Sequence, residues 1–172
     1  PLLFKLIDAN DDLSIQVHPD DETAALRHNS LGKTEMWYVI DAEPDGELIV
    51  GFKNDCSRQE YLKALEEGHV ADLLKRVPVS KGDVIFIPAG LVHAIKKGVL
   101  VAEIQETSDL TYRIYDYKRT DEHGKERELH TELALDVINF SATKSPKVEY
   151  EPKVNAVTPL VSCDYFTTNL LL

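Results

Sequence analysis

Apolar and polar residues alternate strictly along Leu13-Ser14-Ile15-Gln16-Val17-His18. In an extended chain this puts Leu13, Ile15 and Val17 on one face and Ser14, Gln16 and His18 on the other. Similar patterning predicts strands over 2–8, 13–18, 35–41, 47–53, 79–80, 83–87, 93–96, 99–106 and 111–117. Turn chemistry separates them at Pro44-Asp45-Gly46, Lys81-Gly82-Asp83 and Lys97-Gly98. Many short strands at this spacing predict a mainly β sandwich or barrel. One region breaks the pattern. Ser57-Arg58-Gln59-Glu60 is a capping-box sequence, and Tyr61, Leu62 and Leu65 follow at helical spacing. Gly68 is a stop, and Val70, Leu73 and Leu74 predict a second short helix. Residues 57–76 thus read as a helical insertion between strands, and Glu22–Leu26 as another short helix.

The character changes after residue 119. Arg119 to Glu128 is a run of charged residues that reads as a solvated loop or hairpin, and Thr131–Asn139 has helical composition. Residues 141–159 hold Pro146, Pro152 and Pro159 among polar residues and read as an extended linker, after which another strand system begins. The first residues, Pro1-Leu2-Leu3-Phe4, already lie inside an apolar strand, and the last, Leu170-Leu171-Leu172, are apolar. Both ends are expected to be cuts within a longer protein.

Composition narrows the function classes. The chain has 172 residues, 43% of them hydrophobic, enough for one sizeable core. A net charge of −11 argues against nucleic acid and against an anionic membrane surface as partners. No apolar run approaches the roughly 18 residues a spanning helix needs, and no signal peptide is expected. Cys56 and Cys163 are far apart and form no C-x-x-C pair, so a reduced, cytoplasmic thiol pair is expected.

The candidate chemistry lies on the strands. Gly82-Asp83-Val84-Ile85-Phe86-Ile87-Pro88-Ala89-Gly90-Leu91-Val92-His93 reads as a strand, a Pro-x-Gly turn, and a histidine at the start of the next strand. His18 ends the alternating strand, with Gln16 on the same face about 7 Å away. Glu35 opens the β-rich run Met36-Trp37-Tyr38-Val39-Ile40. A lone histidine on a strand is ordinarily a satisfied structural residue. His18, Glu35 and His93, each at a strand or strand start, instead make a His₂Glu set, a recognised catalytic zinc arrangement, with Gln16 as a possible neutral oxygen ligand.

The segment Gly82-x5-Pro88-x-Gly90-x2-His93 resembles the second motif of cupins, double-stranded β-helix barrels that hold a metal. The motif's usual final Asn is replaced by Lys97, and its first H-x-H motif is replaced too. In that place stand Ser14-Ile15-Gln16-Val17-His18-Pro19 and Gly32-Lys33-Thr34-Glu35-Met36. These, with Glu103-Ile104-Gln105-Glu106-Thr107-Ser108-Asp109-Leu110-Thr111-Tyr112-Arg113, resemble the type I mannose-6-phosphate isomerases. The resemblance covers residues 2 to about 119, and the stretch Arg113 to Arg119 looks most like the short bacterial branch. It implies a mainly β cupin (jelly-roll) barrel with a short helical insertion, part of a two-cupin protein. The catalytic barrel would span 1–119, a charged loop, short helix and linker 120–159, and the start of a second barrel 160–172. By position, Gln16, His18, Glu35 and His93 match the zinc ligands, one Zn²⁺ per chain. Arg113 matches the active-site arginine, and Lys33 and Glu103 match polar residues lining the pocket.

The implied activity is interconversion of mannose 6-phosphate and fructose 6-phosphate through an enediol, in a cytoplasmic monomer or weak homodimer whose partner is a small sugar phosphate. Such chemistry needs a hold on two adjacent oxygens, a base, and a charge for the enediolate. Arg113 offers the fixed charge, or a bidentate grip on phosphate. The base is open between Glu103 and Lys33. Burial could raise the Glu103 carboxyl, and the reading favours Glu103 for proton transfer with Lys33 as charge partner.

Plainer roles compete. Glu103 could be a structural partner of Arg113, Lys33 a solvated loop lysine, and Arg113 a barrel-lining ion-pair residue. Trp37 reads as barrel core, Lys118-Arg119 as a solvated pair, and His28, His69, His123 and His130 as non-catalytic. The rival function is a non-catalytic cupin that binds or senses a sugar phosphate. A cupin oxygenase would draw more histidines, and a vestigial barrel would not explain the polar run Ser14, Gln16 and His18 facing inward.

Overall fold

The computed structural model describes all residues from Pro1 to Leu172. Eleven strands run in chain order: β1 Leu2–Asp8, β2 Ile15–Val17, β3 Glu35–Ala42, β4 Glu47–Phe52, β5 Leu74–Pro78, β6 Val84–Ile87, β7 His93–Ile95, β8 Val99–Glu106, β9 Tyr112–Tyr115, β10 Val157–Ser162 and β11 Thr167–Leu171. The helices are α1 Asp21–His28, α2 Arg58–Glu66 and α3 Thr131–Leu135. One sheet has the order β1-β8-β3-β6 and the other β5-β4-β7-β2-β9, with every pairing in both antiparallel. This is the expected mainly β barrel with a helical insertion.

The central strands β3, β4 and β7 are buried on both faces, while the edge strand β1 is largely exposed. Between the sheets, Trp37, Val39, Leu48, Val50, Ile85 and Val101 form one cluster. Ile15, Val17, Ile49, Ala94, Tyr112 and Ile114 point the other way from their strands, into a second cluster with Tyr61 of α2 and Ala134 and Leu135 of α3. The apolar side of β2 therefore faces the helices, which leaves its polar side, Gln16, for the interior. On the opposite flank Met36 and Val84 pack against Val161 and Phe166 of the β10–β11 hairpin.

Local rules place the helices. The Ser57 hydroxyl accepts from the Glu60 N–H while the Glu60 carboxylate accepts from the Ser57 N–H, so the capping box closes α2 at its start. The Asp20 side chain caps α1 by accepting from Thr23 N–H, and Asn29 ends it in the left-handed conformation.

Three expectations are corrected. The second helix of the insertion is a single 3₁₀ turn, Val70–Leu73, and Leu74 is already extended. Residues 74–78 form β5, which pairs with the edge of β4, Leu74 opposite Phe52. Spacing of i, i+3, i+4 over so few residues fits one turn followed by a strand equally well. The helix expected over 131–139 stops at Leu135. Pro159, read as linker, lies within β10 beside a register shift between Pro159 and Val161, where a missing N–H is tolerated. The rest of the 141–159 stretch is extended but held to the barrel, with Thr143 N–H donating to Phe52 O at 3.0 Å and Val148 N–H to Val84 O at 2.8 Å. No helix is long and apolar enough to cross a membrane.

Candidate functional site

The two sheets bring two rows of side chains face to face. In one sheet, Gln16 of β2 lies opposite His93 of β7 on one side and Arg113 of β9 on the other. In the other, Glu103 of β8 lies opposite Lys5 of β1 and Trp37 of β3. Trp37 bridges the rows, its ring edge-on to His93 with centroids 5.4 Å apart. Glu35 opens β3 and His18 directly follows β2. The Pro88–Gly90 turn delivers His93, and Gly90 N–H donates to His18 O at 2.9 Å, so the turn ties both histidine segments together.

His18, Glu35 and His93 are fully buried, and their ligand atoms all lie within 4.8 Å of one another. His18 Nδ1 is 2.8 Å from Leu110 O and His93 Nδ1 is 2.7 Å from Leu91 O. A carbonyl can only accept, so both rings carry their proton on Nδ1, and both Nε2 atoms present lone pairs. The two Nε2 atoms are 3.1 Å apart. Glu35 adds its carboxylate, with Oε1 at 3.3 Å from His93 Nε2 and Oε2 at 3.6 Å from His18 Nε2. Neither Glu35 oxygen has a hydrogen-bond partner; Lys33 Nζ is 3.2 Å from Oε2 but not aligned to donate. A convergence of lone pairs and an orphaned buried carboxylate is unfavourable without a cation among them. The residues therefore fit a divalent metal with mixed nitrogen and oxygen ligands.

Electrostatics agrees. Burial pushes the His18 imidazolium well below its usual range and His93 down to about 4, so both rings are neutral ligands. Burial pushes the Glu35 carboxyl up to about 7, against the pull of Lys33. Gln16 sits beside the cluster, its Nε2 at 3.3 Å from His93 Nε2. Turning the carboxamide end for end presents Oε1 there as a fourth donor atom.

Above the cluster lies a cavity of about 370 Å³. Gln16, Lys33 and Trp37 line it, and each also touches the buried triad. Glu103, Arg113 and Lys5 complete the wall. Lys33 is buried, 4% exposed, not a solvated loop lysine. Glu103 does not pair with Arg113: its Oε1 accepts from Lys5 Nζ at 3.1 Å and its Oε2 from Trp37 Nε1 at 2.9 Å. Arg113 Nη1 donates to Glu128 O at 2.9 Å and its buried Nε has no partner. Burial and then the charge of Arg127 disfavour its protonated form. Four cations, Lys5, Lys33, Arg113 and Arg127, face two acids, Glu103 and Asp109, in a chain whose net charge is −11. The cavity thus selects an anionic, polar ligand.

Sequence reasoning missed Lys5 and Arg127. Lys5 alternates with exposed apolar residues of β1, a pattern that could have marked an inward cation. Arg127 is hidden in a charged run, and no local signal sets it apart. Lys118 and Arg119 do not line this cavity. His130 has a structural use, its Nδ1 accepting from Arg113 N–H at 3.0 Å.

Comparison with known proteins follows the same lines. Residues 1–59 match the family described as phosphomannose isomerase type I, catalytic domain. The chain is 44% identical over 170 residues to mannose-6-phosphate isomerase ManA of Bacillus subtilis (strain 168), covering 97% of this chain and 54% of the relative. It is 41% identical over 168 residues to the mannose-6-phosphate isomerase of Streptococcus mutans, covering 97% and 53%. The crystal structure of the Bacillus subtilis mannose 6-phosphate isomerase superposes with a TM-score of 0.88 at 38% identity, covering 97% of this chain and 54% of that one. The chain spans about half the length of the curated relatives it matches.

Proposed function

This chain belongs to the type I phosphomannose isomerase family, and from that premise we propose that it carries the metal-binding cupin barrel of a zinc-dependent aldose–ketose isomerase interconverting mannose 6-phosphate and fructose 6-phosphate. The observation that carries this reading is the triad of His18, Glu35 and His93 beneath a cation-rich cavity, with neither Glu35 oxygen accepting a hydrogen bond.

The isomerisation moves one proton from C2 to C1 of the opened sugar. As the C2–H bond breaks, O1 gains a proton and a cis-enediol forms; C1 is then protonated, and O2 gives up its proton as the C2 carbonyl appears. A zinc ion held by Gln16, His18, Glu35 and His93 would supply Lewis acidity toward the two sugar oxygens. Glu103 is the proton-transfer group in this reading. Lys5 and Trp37 fix both its oxygens in orientation, and each oxygen keeps a second lone pair for the substrate. Lys33 opposes the rise that burial imposes on the Glu35 carboxyl and adds a cation to the cavity wall. Arg113, opposite Gln16 in the β2–β9 pair, stabilises the enediolate with its fixed charge. The two free cysteines accord with a reducing, cytoplasmic setting.

The test is metal content of the purified protein together with turnover of mannose 6-phosphate before and after chelation and after zinc is restored. About one zinc per chain is expected, a single site, with turnover lost to the chelator and recovered with zinc. Zinc without turnover would favour a sugar-phosphate-binding module, and no stoichiometric metal would overturn the site.

A further inference from the structure

Asp116 directly follows β9 and is buried, 4% exposed. Its two oxygens take a bidentate grip from Arg127, Nε to Oδ2 at 2.7 Å and Nη2 to Oδ1 at 2.7 Å. Arg119 Nη2 donates to Oδ1 as well. This is unlike the usual surface ion pair: the carboxylate is desolvated, the fork geometry is matched, and three donors fix one anion. The hydrogen bonds from Arg127 hold the Asp116 carboxyl below the ordinary carboxylate range. Arg127 Nη1 has no bond within the protein, and the side chain is 52% exposed and lines the cavity shared with Gln16, Lys33 and Arg113.

The other cavity cations are already engaged. Lys5 donates to Glu103 and Gln105, Lys33 faces Glu35, and Arg113 donates to Glu128 O. Arg127 combines a guanidinium locked by a carboxylate with an exposed, free N–H edge, whereas the unpartnered Nε of Arg113 is buried. The loop that carries it is itself folded back, with Asp121 N–H to Lys125 O at 2.9 Å, a bridge between Thr120 and Glu126, and His130 N–H to Arg113 O at 2.8 Å.

We infer that Arg127 is the specificity residue that binds the anionic end of the substrate, a phosphate monoester, and that Asp116 is its positioning residue. This rests on the sugar-phosphate reading of the cavity above. Arg127 reads the end of the sugar remote from the reacting carbons, so it contributes binding that is equal in ground and transition states. Asp116 acts only by holding the guanidinium plane; without it a long, half-exposed side chain samples many rotamers.

The test uses the intact, zinc-loaded protein with two readouts: steady-state turnover of mannose 6-phosphate, and calorimetric titration with inorganic phosphate. For Arg127→Ala, KM and the phosphate dissociation constant are expected to rise about tenfold or more, with kcat changed by less than about threefold. Asp116→Asn keeps the shape and removes the charge; it should raise KM with kcat held, to a smaller degree. Arg127→Lys keeps the charge without the fork and should fall between wild type and Arg127→Ala. Arg76→Ala, an exposed pair with Glu47 on the outer sheet edge, is the control and should leave both readouts unchanged. Unchanged phosphate binding and KM in Arg127→Ala would overturn the inference while turnover upheld the isomerase. Phosphate binding that depends on Arg127 in a protein without turnover would support the inference and sink the isomerase reading.

Discussion

Trp37 and Glu103 lie directly opposite each other in the β3–β8 pair, and the indole N–H donates to Glu103 Oε2 at 2.9 Å with both side chains buried. The same indole packs edge-on against His93. One aromatic residue thus sets the orientation of the candidate proton-transfer carboxylate relative to the candidate metal ligands. It is a core residue and a positioning residue at once.

Removing only the donor tests this. Trp37→Phe keeps most of the apolar bulk but leaves a buried Glu103 oxygen short of a partner, at a cost of about 1–3 kcal/mol. Urea unfolding should show that loss. Because the carboxylate is then held by Lys5 alone, kcat should fall about tenfold while bound metal stays near one per chain. Glu103→Gln should fall further, by about 10²–10⁴ in kcat, since it removes the base itself. A Glu103→Gln protein with normal kcat would move the proton-transfer role to Lys33.

Metal removal should be visible in folding as well as in turnover. His18, Glu35 and His93 come from three separate strands or strand ends, so a cation joining them stabilises only the folded chain. At a free metal concentration a thousandfold above Kd the gain is about 4 kcal/mol. For a chain of this size each kcal/mol moves Tm by about 2–4 °C. Scanning calorimetry with and without chelator should show that shift in the wild type. Glu35→Gln should show no shift and no bound metal; it removes a buried carboxylate that accepts no hydrogen bond but leaves the buried Lys33 without its facing charge, so no gain in metal-free stability is expected. A chelator-insensitive Tm in the wild type would count against the metal.

What was legible in the sequence is what local chemistry dictates. Alternation along Ser14 to His18 placed Gln16 and His18 on the interior face, and the Pro88-x-Gly90 turn placed His93 at the start of β7. The Ser57–Glu60 capping box marked the helix correctly. Contacts that depend on distant pairing were not legible. Lys5 reaches Glu103 across 98 residues of chain, and nothing near either residue announces the other. Asp116 and Arg127 are 11 apart, but Arg127 sits in a charged run that reads as solvated until the hairpin folds it back. Strand β5, Leu74–Pro78, was missed and a strand expected at 79–80 instead, because its sheet neighbour, not its own pattern, decides that Leu74 is extended.

The buried Asp116 should mark the acid limb of stability. Its folded pKa lies below the ordinary value of 3.8, chiefly through Arg127. The unfolded chain therefore binds a proton more readily, so this contribution is fully present above pH 3.8 and is lost as pH falls through the lower folded value. Asp116→Asn has no such proton to take up. It should be less stable than wild type near neutrality, with the gap narrowing only below that ordinary value. Urea midpoints at several pH values check this; a gap that stays constant into strong acid would show that Asp116 is not charge-paired in the folded protein.

Gly90 offers the sharpest backbone test. Its φ is +85°, in the left-handed region, and a Cβ there would lie 2.8 Å from Val137 O. Its N–H donates to His18 O at 2.9 Å, and its carbonyl accepts from Asn139 N–H at 2.9 Å. Gly90→Ala thus meets both a conformational penalty of about 1 kcal/mol or more and a collision with backbone that cannot swing aside. Whichever segment yields, either His18 or the α3 end must move, and His93 is only three residues on. The expected outcome is a lower Tm together with weaker metal retention under a competing chelator, in a protein that still folds. A loss of Tm with metal retention unchanged would show that the turn supports the fold without setting the ligand geometry.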